Sequence, residues 1–275
     1  MNGTRPEGAR TGKAAPPGAA KIEFRGVGKV YPAAGGGTDV TALGGVDLGI
    51  ADEEFVTVVG PSGCGKSTLL GVAAGLVPPT SGEVLVDGRP VTGPGPERGV
   101  IFQQYALFPW LTVRGNVEFG LKVAGVPRRE RRARAEHFID LVGLGDFADA
   151  HPRTLSGGMR QRCALARAYA AEPRILLMDE PFGALDALTR VRMQDRLLGI
   201  WGRERRTVLF ITHDVDEAVY LGGRVVVMAS PGRVQEVVDV GLPRPRTEEV
   251  RLSPEFAEIR NRIWHAVYHQ EGNTT

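Results

Sequence analysis

The sequence predicts an α/β fold: a sheet core built around a phosphate-binding loop, with a helical segment inserted into it. Three features carry that prediction. The first is Gly60-Pro61-Ser62-Gly63-Cys64-Gly65-Lys66-Ser67-Thr68, preceded by the apolar run Phe55-Val56-Thr57-Val58-Val59 and followed by Leu69, Leu70, Val72 and Ala73 at helical spacing. Strand, glycine-rich loop and helix is the setting in which G-x-x-x-x-G-K-[ST] becomes a phosphate site. The second is a pair of apolar runs, Ile175-Leu176-Leu177-Met178 and Val208-Leu209-Phe210-Ile211, of the kind that suits parallel strands covered on both faces. The third is the change to helical spacing over residues 112–144, which interrupts the sheet pattern.

Along the chain, residues 1–20 are rich in Gly, Ala, Pro and Arg without periodicity and read as a disordered tail. Order begins at Lys21-Ile22-Glu23-Phe24, a short alternating strand. Ala33-Ala34-Gly35-Gly36-Gly37 is a hairpin loop, followed by strands near 40–43 and 46–50. Gly82-Glu83-Val84-Leu85-Val86-Asp87-Gly88 is a strand ending in an Asp-Gly turn. Gly99-Val100-Ile101-Phe102 is another strand, ending at Gln103-Gln104. The charged run 128–136 lies on a helix whose apolar side is Phe138, Leu141 and Val142, and Glu130 and Glu136 interrupt it. That pattern is a solvated helix face rather than a nucleic-acid surface.

Helices are expected over 158–171 and 187–204, with a hairpin of strands 225–228 and 234–238 around Pro231-Gly232. After Pro243-Arg244-Pro245-Arg246 a last helix begins, with Ser253 as N-cap and Pro254 in the first turn. Its stripe Phe256, Ile259, Ile263 and Val267 should dock on the parent domain. The expected organisation is a tail (1–20), a main domain (21–240, its helical part about 104–157) and a C-terminal helical extension (241–275).

Composition bounds the function. Of 275 residues, 42% are hydrophobic and 24% charged, as in ordinary soluble proteins. A net charge of +2 is too small to argue for a nucleic-acid partner. No apolar run approaches the roughly 20 residues of a membrane span, and the N-terminus lacks the apolar stretch of a secretory signal. Cys64 and Cys163 have neither metal nor redox spacing; both suit small buried positions in a reducing cytosol.

The chemistry-bearing residues fall into three groups. In the phosphate loop, glycines let backbone N–H groups turn towards phosphate oxygens, Lys66 adds a positive charge, and the Ser67 hydroxyl can ligate Mg²⁺. Met178-Asp179-Glu180 ends an apolar strand with two acids, Asp179 placed to face the metal and Glu180 to polarise an attacking water. Ser156-Gly157-Gly158 before a helix offers a second set of free N–H groups at a positive dipole end.

Taken together the motifs resemble those of the ATP-binding cassette (ABC) ATPases. The resemblance runs from residue 21 to about 240. It rests on the phosphate loop, Gln103, the signature Leu155-Ser156-Gly157-Gly158-Met159-Arg160-Gln161, Asp179-Glu180, Gly183-Ala184-Leu185-Asp186 and His213, in that order. It implies a RecA-like mixed sheet plus an antiparallel β subdomain, with an inserted α-helical subdomain. It implies ATP hydrolysis with Mg²⁺. Tyr31 would stack on adenine, Gly60 to Thr68 would hold the phosphates, and Gln103 would ligate Mg²⁺ and sense the γ-phosphate. His213 would contact that phosphate, and Asp186 would reach the phosphate loop of a second copy. Ser156, Gly157 and Gly158 would close over ATP held by the opposite copy, giving a head-to-tail dimer.

One nucleotide-binding set without a membrane span resembles the separate ATPase subunit of a transporter. The resemblance then implies two permease subunits, an extracytoplasmic binding protein and a peripheral place on the cytoplasmic face of the membrane. Phe108-Pro109-Trp110, Asn116-Val117-Glu118-Phe119-Gly120-Leu121 and the short C-terminal helix are similar to the nitrate/sulfonate/taurine importer branch. The solute stays open among sulfonate or taurine, nitrate and thiamine-precursor pyrimidines. The alternative is a soluble ABC ATPase acting on nucleic acid or ribosomes. Such proteins carry two cassettes or coiled-coil insertions, and this sequence shows neither.

Overall fold

The structure, a computed structural model, describes residues 20–33, 37–103, 106–183 and 185–268. A small antiparallel sheet comes first. It contains β1 (Ala20–Tyr31), β2 (Val40–Ala51), β4 (Ser81–Val86) and β5 (Arg89–Pro90), in the order β2-β1-β4-β5. The main sheet contains β3 (Phe55–Val59), β6 (Arg98–Ile101), β7 (Ile175–Asp179), β8 (Thr207–Ile211), β9 (Arg224–Ala229) and β10 (Arg233–Asp239). Its order is β10-β9-β3-β8-β7-β6, with β6, β7, β8, β3 and β9 parallel and β10 antiparallel to β9.

The first strands are longer than the sequence pattern suggests. β1 runs for 12 residues where four alternate cleanly, and the two strands expected over 40–50 are one, β2. Bulges explain the difference. Pairing shifts between Phe24 and Val27, where Arg25 and Gly26 are both exposed, and β2 carries the exposed pair Gly44-Gly45 between buried Leu43 and Val46. An extra residue in a strand breaks period-2 alternation without ending the strand. The hairpin that joins these strands closes at Tyr31 opposite Val40; its residues 34–36 lie outside the described residues. The Asp-Gly turn forms as expected: Asp87 (φ 50°) and Gly88 (φ 71°) both take the left-handed conformation between paired Val86 and Arg89.

Each central strand feeds two cores. Leu176, Met178, Val208 and Phe210 face the helical side, with Phe55 and Phe182. Ile175, Leu177, Leu209 and Ile211 face α1 (Lys66–Ala73) and the small sheet, with Val56, Val58, Leu69 and Leu70. A strand buried on both faces needs no polar alternation, which is why these segments read as unbroken apolar runs.

Between β6 and β7 lie α2 (Val113–Val123), α3 (Arg128–Leu141) and α4 (Gly157–Ala170). Val117, Leu121, Phe138, Ile139 and Tyr169 join them in the larger core. The charged run on α3 is largely paired on the surface: Arg131 with Glu118 at 3.1 Å, Arg132 with Glu136 at 3.0 Å, and Arg134 with Glu130 and Glu172. Next come α5 (Ala187–Arg203) and α6 (Val215–Leu221), the latter too short to show in the sequence pattern. After β10 come α7 (Glu248–Arg251) and α8 (Pro254–Tyr268). Ser253 Oγ accepts from the Phe256 N–H at 3.2 Å. Phe256, Ile263 and Val267 are buried and Ile259 packs against them, so the stripe of α8 faces the core, against α6 and β9. Of the expected tail 1–20, only Ala20 is described, and it opens β1; the rest lies outside the described residues.

Candidate nucleotide site

The carboxyl ends of parallel strands in an open α/β sheet form a ligand crevice. Here β3, β7, β8 and β6 run directly into Gly60, Asp179-Glu180, Thr212-His213 and Phe102-Gln103. Packing demands the glycines at two places. A Cβ on Gly60 would sit 2.4 Å from Met228 O, and one on Gly65 would sit 2.2 Å from Ala42 O, with Gly65 at φ 95°. Gly65 is also the N-cap of α1 and contributes no side-chain cap, so the first turn keeps N–H groups open to an anion.

Inside the loop, the buried Lys66 ammonium donates to Gly60 O at 2.8 Å and Pro61 O at 3.0 Å. Cys64 is buried beneath it, and burial pushes its thiol pKa up against the pull of Lys66. Pro61 is half-buried, Ser62 and Gly63 are exposed, and Thr68 is half-buried on α1.

Residues from the ends of β7 and β8 gather beside this loop, Asp179 touching it and His213 touching Glu180. Ser67 Oγ donates to Asp179 Oδ1 at 3.2 Å. The Asp179 carboxyl is raised, chiefly by burial and further by Glu180, with the Ser67 hydrogen bond and Lys66 opposing. His213 Nδ1 lies 3.0 Å from Glu180 Oε2. Glu180 takes φ 43°, a left-handed conformation costly for a residue with a Cβ, and its N–H donates to Ile211 O at 3.0 Å. That bond stitches the end of β7 to the end of β8 and aims the carboxylate back at His213.

A second group assembles elsewhere. Ser156 caps α4 by accepting from Met159 N–H, and Asp186 caps α5 by accepting from Thr189 N–H at 2.9 Å. The Thr189 backbone N–H is the main reason the Asp186 carboxyl is held below its ordinary range. Ser156, Gly157, Gly158, Asp186 and Thr189 line one open cleft of about 840 Å³. Among the described residues, no hydrogen bond or ion pair joins this group to Lys66, Ser67, Asp179, Glu180 or His213.

Among the described residues, neither Tyr31 nor Gln103 has a hydrogen bond or ion pair to either group. Tyr31, at the end of β1, is 39% exposed with Lys29 Nζ 5.1 Å from its ring centroid. Gln103 is exposed beyond β6. Ala184, Gln104 and Tyr105 lie outside the described residues.

The aromatic loop is also a built feature. Asn116, fully buried on α2, receives Phe108 N–H at 2.8 Å and donates to the carbonyls of Phe108, Leu111 and Thr112. Phe108 packs on Phe119 at 4.3 Å between centroids, and Trp110 stands 70% exposed. Sequence reasoning noted Asn116 only as part of a pattern; its signal was an amide among apolar neighbours at helical spacing. It passed over Arg190 and Asp214, four residues after Asp186 and one after His213, which join α5 to α6 at 3.2 Å.

Comparison with known proteins places this geometry. Residues 43–183 match the ABC transporter family model. A Brucella abortus protein named for ATP binding is 72% identical over 234 residues, 85% of this chain and 90% of its own. The nitrate import ATP-binding protein of Synechocystis is 51% identical over 231 residues, 82% of this chain and 87% of its own. The taurine import ATP-binding protein of Rhizobium johnstonii is 50% identical over 246 residues, 87% of this chain and 94% of its own. Among solved structures, the cassette MJ0796 in a dimeric post-hydrolysis state with ADP and Pi superposes with a TM-score of 0.70 at 34% identity, covering 80% of this chain and 98% of that one. A family model over residues 43–183 and relatives of 50% identity or more that cover at least 82% of the chain agree: the chain belongs to the ABC transporter family and is one of its ATP-hydrolysing cassettes.

Proposed function

We propose that this chain is the ATP-binding subunit of an importer and hydrolyses ATP in a head-to-tail dimer of two copies. One observation carries the reading. The phosphate loop gathers Asp179, Glu180 and His213, while Ser156, Gly157, Gly158 and Asp186 lie in a separate cleft. Each half has open N–H groups suited to phosphate, and neither encloses a nucleotide alone. A second copy turned head to tail sets the signature cleft of one against the phosphate loop of the other.

Within that site, Lys66 releases Gly60 O and Pro61 O to meet phosphate oxygens. Tyr31 stacks on the base. Ser67 and Asp179 present hard oxygen donors 3.2 Å apart, suited to Mg²⁺, with Gln103 approaching from the next strand end. Held by Ser67 and Asp179, Mg²⁺ would supply charge neutralisation at the phosphates during phosphoryl transfer. Glu180 accepts a proton from the attacking water, and His213 holds the Glu180 carboxylate and the γ-phosphate in register.

Nitrate, taurine and bicarbonate name the curated relatives, so a small anion or sulfonate is the solute class. No described helix is long and apolar enough to cross a membrane, and the exposed Trp110 beside Phe108 and Phe119 offers a docking point for a permease. The subunit then sits on the cytoplasmic face and drives a permease, to which an extracytoplasmic binding protein delivers the solute.

Specific ATPase activity measured against enzyme concentration tests the dimer: it should rise and then plateau. Activity per chain that is constant down to the monomer range would refute it. Proteoliposomes holding the chain with its permease test import; ATPase indifferent to solute-loaded binding protein would count against it.

A further inference from the structure

Arg190 lies on the first full turn of α5, its own N–H donating to Asp186 O at 2.9 Å. Its Nη2 donates to Leu185 O at 3.2 Å, within the loop that carries Asp186. Its Nη1 donates to Asp214 Oδ2 at 3.2 Å. Asp214 follows His213 directly. It is held by its own N–H, which donates to Thr212 Oγ1 at 3.0 Å, and its Oδ1 caps α6 by accepting from Glu217 N–H at 3.1 Å. One turn further along α5, Gln194 donates to the buried Glu217 at 2.9 Å, so two contacts fix α5 against the start of α6.

One guanidinium therefore holds two loops at once. One is the Leu185-Asp186 loop, which lines the signature cleft; the other is the Thr212-His213-Asp214 turn, which reaches Glu180. The planar fork is what allows it: two donors of one rigid group fix the relative position of a carbonyl and a carboxylate. A lysine would supply one charge without that geometry. The pair is partly buried, with side chains 27% and 29% exposed, so water competes only in part.

We propose that Arg190 is a positioning residue that couples the Asp186 loop to His213 through Asp214. A shift of the Asp186 loop when a second copy engages it is transmitted to the His213 turn, and so to the Glu180 carboxylate. The signature half and the hydrolytic half of each chain then report to one another within the chain. This rests on the composite-site reading given above.

The test is steady-state ATPase kinetics of the full chain with Arg190→Gln, Arg190→Lys, Asp214→Asn and the double variant Arg190→Gln/Asp214→Asn, with melting curves for each. Asp214→Asn keeps an oxygen to cap α6 and removes the charge and the acceptor facing Arg190. Arg190→Gln and Asp214→Asn are each expected to lower kcat roughly tenfold, the size of a typical coupling term, with KM for ATP within about twofold. The Hill coefficient for ATP should fall towards one, and the double variant should be no worse than the poorer single variant. Arg190→Lys should recover part of kcat.

A purely structural ion pair would lower the melting temperature and leave the Hill coefficient alone; that result overturns the proposal. So does wild-type kcat in Arg190→Gln, or losses that multiply in the double variant. ATP-dependent dimerisation of Glu180→Gln, measured beside these kinetics, separates the two levels. If Glu180→Gln dimerises with ATP and Arg190→Gln turns over normally, the coupling fails alone. If Glu180→Gln does not dimerise, both readings fall.

Discussion

His213 Nδ1 stands 3.0 Å from Glu180 Oε2, a contact between the turns that follow two neighbouring parallel strands. It fixes a carboxylate whose backbone is already constrained at φ 43°. The left-handed conformation is costly for glutamate, and it turns the carboxylate out of the strand direction towards the phosphate-loop crevice.

Replacing Glu180 with Gln removes the proposed proton acceptor and keeps the side-chain shape. Hydrolysis should fall at least about a hundredfold, the range of general-base catalysis. ATP affinity, read by equilibrium binding, should stay near wild type. His213→Ala should lower kcat with a smaller effect on ATP binding, because it disturbs the orientation of Glu180 rather than the phosphate loop.

Asp179 gives a pH prediction with a definite sign. Burial raises its pKa in the folded chain above the unfolded value near 3.8. A raised carboxyl stabilises the fold below the unfolded pKa, and that contribution is lost as pH rises through the folded value. At neutral pH the ligand-free protein therefore carries a half-buried carboxylate as a cost. Asp179→Asn, which can still accept from Ser67, should melt higher than wild type at pH 7 without nucleotide. The difference should vanish below about pH 4, while Mg²⁺-dependent turnover is lost. A lower melting temperature for Asp179→Asn at pH 7 would contradict this account.

Asn116 is expected to organise the aromatic loop. Asn116→Ala removes four hydrogen bonds to that loop and leaves the Phe108 N–H and the Leu111 carbonyl without their partner. A loss of about 2–4 kcal/mol in urea unfolding is expected, with faster amide exchange at Phe108.

Gly65→Ala should also be severe. The new Cβ would meet Ala42 O at 2.2 Å, in a backbone conformation with φ 95°. The clash is with main chain of β2, so no side chain can move aside. A loss of roughly 2 kcal/mol or more is expected in thermal or denaturant melts, along with weaker nucleotide binding.

Much of this was legible in the sequence because the informative residues are local. The phosphate loop, the all-apolar strands and the Asp87-Gly88 turn each declare themselves within ten residues. The lengths of β1 and β2 were hidden by bulges at Gly26 and Gly44-Gly45, which break alternation while pairing continues. Helix α6 was hidden because seven residues give too few turns for a period to show. The hydrogen bonds from Asn116 and the bridge through Arg190 depend on which side chains the fold brings near each other, and no spacing records that. The split of candidate residues into two groups was implied by family resemblance. Their separation within one chain required coordinates.

Ser156 of one copy is proposed to complete the ATP site built on Lys66 of another. This is tested most directly by sedimentation of Glu180→Gln with and without ATP, alone and combined with Ser156→Arg. The account predicts an ATP-dependent dimer for Glu180→Gln. It predicts a monomer that still binds ATP for the double variant. An ATP-dependent dimer that survives Ser156→Arg would contradict it.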